Sequence, residues 1–367
     1  MTDGVVLHTQ KVAGISGSEA HLLQLLPDLR GRGWDVRFLM LHEGEPGAWE
    51  FAEALRARGV PLDDIRLRAD VDPIAFGETT AYLGRVRPRI LHTHLVHADV
   101  YGQLAGSVTR VPLRLSTKHG FNEFREGRWF GFADRSVGSL AHVHIAISQG
   151  LAQYLAETEG FDEEDFEIVH YGIADHGEAA PYAGSEPRLL CVGRLIPIKG
   201  HLVLLRALAQ ARAQVPDVTL AIAGRGPLAP ALRAYARELG VEDAVRFLGF
   251  VSPVQAAIED AAVVVVPSLG EGFGMVALEA MERARAVVAS SVGGLPEIVA
   301  DGETGLVVPP ADAEALAEAI VALAGDLPKA AAMGRAGRAR ALAEFTPERC
   351  VERVEELYVR ALQLPPT

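Results

Sequence analysis

The sequence has little of what marks secreted or membrane-spanning proteins. Only two of its 367 residues are cysteines, Cys191 and Cys350, and both lie in apolar patterns. Two distant thiols of this kind are typical of reduced core residues, not of a disulfide framework. No apolar run approaches the ~18 residues of a membrane-spanning helix, and nothing before the first apolar strand pattern resembles a signal peptide. We therefore expect a cytoplasmic protein.

Positive charge is also scarce. The chain carries 35 Lys and Arg residues against 48 Asp and Glu residues, a formal net charge of −13. Nucleic-acid-binding domains carry a basic surface, so we expect no nucleic-acid partner. At 49% hydrophobic and 23% charged residues the chain is globular, and its length predicts about two domains.

One stretch, residues 267–280, organises the rest of the chain. The apolar run at 261–266, which ends in four β-branched valines, predicts a buried strand. Pro267 and three glycines end it, and helical composition begins at Met275. This order places a helix N-terminus, with unpaired N–H groups and partial positive charge, at the carboxyl end of a parallel strand. The pattern therefore predicts an anion-binding loop.

Two carboxylates flank this predicted loop. Glu271 lies in the turn before the helix and Glu279 about one turn inside it. Gly272 and Gly274 allow backbone N–H groups to approach an anion, whereas carboxylates would repel one. We therefore expect the two glutamates to accept hydrogen bonds from hydroxyl groups, and a sugar nucleotide fits this combination.

A second loop of the same half adds positive charge. Arg194 and Lys199 lie in a predicted strand-to-helix turn after the strand at 189–192. Guanidinium and ammonium groups five residues apart in such a turn can bind an anion together. In the first half, the helix that begins near Gly17 and Ser18 follows strand 5–8 and provides another N-terminus for an anion.

The segments Glu271-Gly-Phe-Gly274, Glu279 and Gly293-Gly-Leu-Pro-Glu297 together resemble the signature of the retaining glycosyltransferases of family four. This resemblance implies an α/β protein of GT-B type, with two doubly wound Rossmann-like domains facing each other across a cleft. It implies an acceptor-side domain at 1–175, a hinge at 176–187 and a nucleotide-sugar domain at 188–345. A C-terminal helix at 346–367 would pack back toward the first domain.

The resemblance also implies a set of site residues. His119 and Glu271 would be catalytic, and no residue would bind a metal. The diphosphate of the donor would be bound by Gly17, Ser18, Arg194, Lys199, Gly274 and Met275. The donor sugar would be bound by His119, Glu271, Gly272, Phe273 and Gly274. The nucleoside would be bound by Gly224, Phe250, Val251, Val276 and Glu279.

The expected activity is transfer of a hexose-type sugar, with retention and without metal, from a nucleoside-diphosphate sugar to an acceptor hydroxyl. UDP-sugars are favoured, in glycan, glycolipid or natural-product biosynthesis. Retention could use a covalent carboxylate intermediate, but no nucleophile is evident, and the resemblance suggests front-face attack. A sugar-nucleotide epimerase or hydrolase and a non-catalytic sugar-nucleotide-binding protein are alternatives.

One further motif predicts a different ligand. A strand followed by Gly224-x-Gly226-x-x-Ala229, with Glu242 further on, fits the dinucleotide fingerprint and suggests NAD. It is not the first strand–helix unit of its half, however, and family four has a similar segment beside the nucleotide. We therefore favour a nucleotide loop.

Three other clusters have two interpretations each. His92, His94 and His97 suggest zinc or, as we favour, histidines that line a cleft. Asp70 and Asp72 have metal-ligand spacing, yet a solvated turn is favoured. The basic and aromatic residues of 121–139 would either pack on the domain, which we favour, or bring the protein to the inner face of the membrane.

Overall fold

The computed structural model describes residues 4–120, 137 and 139–363. The chain forms two compact units, Met1–Gly172 with Pro347–Thr367, and Ile173–Thr346. The stretch predicted as a hinge, 176–187, lies within the second unit. There the His176 backbone N donates to Glu282 at 3.0 Å, and Arg285 donates to the Ala180 carbonyl at 2.7 Å. The boundary therefore falls just before the predicted segment.

The first unit is built on a parallel sheet with the strand order β3-β2-β1-β4-β5-β6-β7. The order reverses beside β1, which pairs with both β2 and β4, so a crevice is expected at the carboxyl ends of β1 and β4. The strands are β1 (Val5–Lys11), β2 (Asp35–His42), β3 (Leu62–Arg66), β4 (Ile90–His94), β5 (Leu113–Lys118), β6 (Val143–Ala146) and β7 (Phe166–Ile168).

Side-chain caps mark the start of some helices of this unit. Asp72 accepts hydrogen bonds from Ile74 N and Ala75 N, so it caps a helix that starts at Pro73. The helices are α1 (Gly17–Gly31), α2 (Pro46–Ala57), α3 (Pro73–Val86), α4 (Leu95–Ala98), α5 (Leu104–Val108) and α6 (Gln149–Glu159), with a π-helical turn at Asp99–Gln103 and a 3-10 turn at Glu163–Asp165.

The second unit has a parallel sheet with the order β10-β9-β8-β11-β12-β13. Its strands are β8 (Arg188–Val192), β9 (Thr219–Ala223), β10 (Val245–Gly249), β11 (Val263–Val266), β12 (Ala286–Ser290) and β13 (Gly305–Val308). All four valines of β11 are buried, because a central parallel strand is covered on both faces. The order reverses between β8 and β11, so the loops after these strands are the expected binding edge.

Short helices and turns follow each of these strands. The described elements are a 3-10 turn (Pro197–Lys199), α7 (His201–Ala211), α8 (Ala229–Glu238), a 3-10 turn (Glu242–Ala244), α9 (Gln255–Glu259), α10 (Met275–Glu282), α11 (Leu295–Ile298), α12 (Ala313–Ala324) and α13 (Leu327–Glu344). Two doubly wound parallel sheets were predicted, and the structure confirms this fold class.

The last helix, α14 (Pro347–Gln363), returns to the first unit. Its apolar face enters the core that α1 and β1 also line, through Cys350, Val351, Val354, Leu357 and Tyr358. This is the face that the spacing of apolar residues predicts. Cys350 and Cys191 are both free and buried, as expected of core thiols.

Candidate functional site

Three loops of the second unit are in backbone contact at the carboxyl edge of its sheet. A Cβ on Gly224, after β9, would lie 1.8 Å from the carbonyl oxygen of Gly193, after β8. A Cβ on Gly200 would lie 1.8 Å from the carbonyl oxygen of Pro267, after β11. Glycine is required at both positions, whose φ angles of +155° and +67° also exclude most side chains. The loops after β8, β9 and β11 therefore form one surface.

Two predicted site residues meet on this surface. Lys199 Nζ donates to Glu271 Oε2 at 2.6 Å, and the Ser268 hydroxyl donates to the same oxygen at 3.1 Å. The lysine and glutamate side chains keep 24% and 16% of their surface exposed. The backbone N of Leu269 donates to the Ile198 carbonyl at 2.7 Å, which fixes one loop on the other. The predicted cation and carboxylate are thus one ion pair.

Gly274 packs one part of the signature, Glu271 to Gly274, against the other, Gly293 to Glu297. It caps α10 with φ +114°, and a Cβ there would lie 2.6 Å from Leu295 Cδ2. The segment from Gly293 to Glu297 is therefore packed on the start of α10. Met275 and Val276 form the first turn and are half-buried. Since the first N–H groups of a helix have no partner within it, this turn offers donors and partial positive charge.

The two carboxylates of α10 have different surroundings. Glu279 is half-buried, and burial together with the nearby Glu282 raises its pKa to about 7. Glu282 is buried, and it accepts from the Arg283 guanidinium at 2.6 Å and from His176 N at 3.0 Å. Although burial opposes ionisation, these contacts lower the pKa of Glu282. Glu282 is therefore structural, whereas Glu279 changes charge near neutral pH.

The remaining residues predicted in this unit lie in the same loops. Arg194 follows β8 and is exposed. Phe250 follows β10 with 66% of its surface exposed, Val251 is half-buried, and the Arg225 guanidinium lies 5.9 Å from the Phe250 ring centre. An exposed aromatic ring next to a guanidinium is a suitable platform for a flat base.

The dinucleotide interpretation has little support in these loops. Gly224 and Gly226 are needed because they contact the backbone of residues 193–195. Glu242 lies in a turn before β10, not at the end of a strand. In the fingerprint an acidic residue reaches the ribose, and Glu242 is not so placed.

In the first unit, six aromatic side chains form a continuous hydrogen-bonded series that we call the ring chain. His119 Nε2 bonds to His94 Nδ1 at 2.8 Å, and His94 Nε2 to His8 Nδ1 at 2.9 Å. His8 Nε2 bonds to the Tyr358 hydroxyl at 3.0 Å, which bonds to His92 Nδ1 at 2.7 Å. The Tyr171 hydroxyl bonds to His119 Nδ1 at the other end.

The ring chain corrects one expectation from the sequence. His92 and His94 were expected to line a cleft, but both are buried. Ligand atoms of His8, His92 and His94 lie within 4.8 Å of one another, as a metal would require. Each nitrogen of these rings already has a hydrogen-bond partner, however, since His92 Nε2 also bonds to Thr117 Oγ1 at 2.6 Å. Their burial is thus explained without an ion.

The structure also shows why the histidines point inward. His8 pairs in register with His92 on the neighbouring strand, and residues two apart share a face of a sheet. Tyr171 and Tyr358 had no predicted role, and no local signal connects them to His119. His97 is separate, with Nε2 3.4 Å from Asp70 Oδ1. Both ring nitrogens of His119 are engaged, so a hydrogen bond to a sugar requires exchange of one partner.

The start of α1 differs from a simple anion site. The buried carboxylate of Glu19 accepts from Ser16 N at 3.0 Å and from the Ser18 hydroxyl at 3.2 Å. The Gln10 amide also donates to Glu19 and, at 3.2 Å, to Ser18. The donors beside Gly17 and Ser18 are thus partly used by an internal carboxylate. A diphosphate there would lie close to negative charge.

Asp72 is a helix cap, which supports the turn interpretation of that acidic pair over a metal site. Of the stretch 121–139, residues 121–136 and 138 lie outside the described residues, so the membrane expectation stays a prediction. Within the described ranges, no helix is both long enough and apolar enough to cross a membrane.

Comparison with known proteins places the chain in a family. Residues 15–176 match Glycosyltransferase Family 4, and residues 186–326 match Glycosyl transferases group 1. The phosphatidyl-myo-inositol mannosyltransferase of Mycobacterium leprae is 32% identical over 321 residues, which cover 84% of this chain and 83% of that relative. The chain belongs to glycosyltransferase family four, and the predicted family is confirmed.

Other relatives match over a shorter length. The GDP-mannose-dependent alpha-(1-6)-phosphatidylinositol monomannoside mannosyltransferase of Mycolicibacterium smegmatis is 41% identical over 168 residues, 43% of this chain. This match spans 44% of that relative, and the match to the D-inositol 3-phosphate glycosyltransferase of Corynebacterium aurimucosum spans 43% of its length.

Two solved structures show the same fold. HepE of Anabaena, in complex with UDP and glucose, has a TM-score of 0.82 at 20% identity, over 97% of this chain and 100% of its own. Sucrose-phosphate synthase from Thermosynechococcus elongatus has a TM-score of 0.79 at 24% identity, over 98% and 99% of the two chains. At such identities the likeness concerns the fold alone, which is of GT-B type.

Proposed function

We propose that the protein transfers a hexose-type sugar from a nucleoside-diphosphate sugar to an acceptor hydroxyl, with retention at the anomeric carbon. The observation that carries this proposal is the ion pair of Lys199 and Glu271, at 2.6 Å, beside the N-terminus of α10. A cation, helix N–H groups and a carboxylate together match a ligand that has both phosphates and hydroxyls.

The proposed role of Lys199 follows from its present partner. When the donor binds, the ammonium group shifts its contact from Glu271 toward a phosphate oxygen, and Arg194 and the first turn of α10 supply further positive charge. These groups stabilise the charge that develops on the leaving diphosphate. Glu271 is then free to accept hydrogen bonds from the sugar.

The other proposed roles follow the positions of the side chains. Ionised Glu279 accepts hydrogen bonds from the ribose hydroxyls. The base lies next to Phe250, Val251 and Gly224. Gly17 and Ser18 bind the diphosphate only if the repulsion between the diphosphate and the Glu19 carboxylate is offset. His119 contacts the sugar through Nδ1. This nitrogen exchanges the Tyr171 hydroxyl for a sugar hydroxyl, while Nε2 keeps its hydrogen bond to His94.

We propose front-face attack, in which a diphosphate oxygen helps to remove the acceptor proton. We also propose that no divalent cation is required, because fixed cations and helix N–H groups can balance the leaving group.

UDP is the favoured nucleotide of the donor, and GDP is a second candidate because of the name of one relative. That relative is GDP-mannose-dependent and matches at 41% identity over 43% of this chain. The acceptor is proposed to be a small molecule, a glycan or a glycolipid, with peripheral contact at the inner face of the membrane as a further proposal. The relative that matches over 83% of its length is a phosphatidyl-myo-inositol mannosyltransferase.

The deciding experiment is mass spectrometry of the purified protein with a panel of sugar nucleotides, with and without EDTA. We expect slow hydrolytic release of one nucleoside diphosphate, faster release with an acceptor, and no effect of EDTA. Donor consumption that no acceptor accelerates would favour an epimerase or hydrolase. Binding without turnover would favour a non-catalytic protein, and tight binding of NADH would favour the dinucleotide alternative. Full loss of activity with EDTA would indicate a metal-dependent enzyme.

A further inference from the structure

The hydrogen bonds of the ring chain link the protonation of distant histidines. A neutral imidazole has one N–H donor and one acceptor nitrogen. If His119 donates from Nε2, then His94 accepts at Nδ1 and carries its own proton on Nε2. The same step repeats between His94 and His8. These three histidines therefore share one tautomer, with the proton on Nε2 in all or on Nδ1 in all.

Tyr358 extends this rule to a fourth histidine. Its single hydroxyl lies 3.0 Å from His8 Nε2 and 2.7 Å from His92 Nδ1. With one proton, it donates to one ring and accepts from the other. When His8 donates from Nε2, Tyr358 donates to His92 Nδ1, and His92 keeps its proton on Nε2. When His8 has its proton on Nδ1, His92 has the same form.

We propose that Tyr358 is a positioning residue for His119, because it completes a ring chain that holds four neutral imidazoles in one shared tautomer. Only the role given to His119 rests on the proposed function. The ring chain gives His119 the same tautomer as His8, His92 and His94 and keeps the plane of its ring in one orientation. A helix at the far end of the sequence thus controls the group expected to meet the donor sugar.

Burial supports a neutral chain. His8, His92, His94 and Tyr358 are buried, and burial lowers the pKa of His92 to about 3 and the pKa of His8 and His94 well below the ordinary value. Beyond His92 the chain reaches the hydroxyl of Thr117, which is also buried. Since this end does not open to bulk water, the ring chain orients His119 and does not conduct protons to solvent.

The first test reads the tautomers in the wild-type protein and needs no activity measurement. We would label histidine with ¹⁵N and read the tautomer of each ring from its nitrogen chemical shifts at pH 7, with assignments from single His→Gln variants. The expected result is the same neutral tautomer at His8, His92, His94 and His119. A mixture of tautomers, a protonated ring, or a stoichiometric metal bound to these rings would overturn the proposal.

The second test replaces the tyrosine. In Tyr358→Phe we expect the tautomer of His92 to become independent of that of His8. We expect kcat to fall about tenfold while the KM for the donor changes less than about twofold, since orientation acts on the transition state. The matched control is Tyr82→Phe, because the Tyr82 hydroxyl is also in the first unit and donates to Asp63 at 2.7 Å outside the chain.

Equal kcat values in the two variants would refute a positioning role for Tyr358. The two proposals also fail separately. A shared tautomer in a protein that transfers no sugar would keep the ring chain and reject the proposed function. Mixed tautomers in an active transferase would reject the ring chain alone.

Discussion

The pair of Lys199 and Glu271 makes a specific prediction for diphosphate binding. The two groups are 2.6 Å apart and only partly exposed. A bound diphosphate adds negative charge next to Glu271, so Lys199 must compensate both groups. Replacing Lys199 by alanine therefore removes one contact and leaves the carboxylate repelling the ligand.

The expected magnitude has two parts. A hydrogen bond from a charged group is worth about 1.5–3 kcal/mol, so Lys199→Ala should weaken UDP or GDP binding about 10- to 100-fold. Two like charges roughly 6 Å apart at a partly exposed site repel by about 1 kcal/mol after solvent screening. Adding Glu271→Gln to Lys199→Ala should therefore regain about fivefold in affinity.

The assay is isothermal titration calorimetry of the wild type, both single variants and the double variant at one ionic strength. Lys329→Ala, at an exposed position of α13, serves as a control for the change in net charge. Glu271→Gln alone should bind the free diphosphate at least as tightly as the wild type, because the repulsion is removed, but should turn over slowly. An unchanged dissociation constant in Lys199→Ala, or a double variant no better than Lys199→Ala, would refute the reasoning.

Three further predictions concern α10. Burial and Glu282 raise the pKa of Glu279 to about 7, and only the ionised carboxylate is expected to accept hydrogen bonds from both ribose hydroxyls. Calorimetry should therefore show sugar-nucleotide affinity rising up to about tenfold from pH 6 to 8 in the wild type but not in Glu279→Gln. Gly274→Ala, with φ +114° and a contact of 2.6 Å, should cost about 1–3 kcal/mol of stability in denaturant titrations. Glu282→Gln leaves buried Arg283 undercompensated, and calorimetric melting should show about 3 kcal/mol of destabilisation.

The fold and much of the second-unit site were accessible from the sequence because their signals are local. Strand, glycine turn and helix follow one another within about fifteen residues around Glu271, and parallel topology brings such turns to one edge. The sequence did not show that Lys199 pairs with Glu271, since the two are 72 residues apart. Nor did it show that Glu19 occupies the start of α1, because a carboxylate in a first turn is also common on solvent-exposed helices.

The ring chain lay beyond sequence reasoning for a different reason. Tyr358 and His8 are 350 residues apart, and no periodicity connects a helix residue with a strand residue at that distance. The sequence showed that His92 and His94 lie on the same face of strand β4. Whether these side chains are buried depends on which element covers that face of the sheet, and the sequence did not show this. The apolar spacing of α14 predicted a buried stripe and could not show that one member carries a bridging hydroxyl.

Helix α14 also bears on how the protein is made. Val354, Leu357 and Tyr358 belong to the interior of the first unit, so the earliest part of the nascent polypeptide leaves the ribosome without its final packing partner. Residues 173–346 are complete before that partner is translated. The second unit can therefore fold before the first. A chain that terminates near position 346 would still contain the whole second unit, whereas its first unit would lack part of its hydrophobic core.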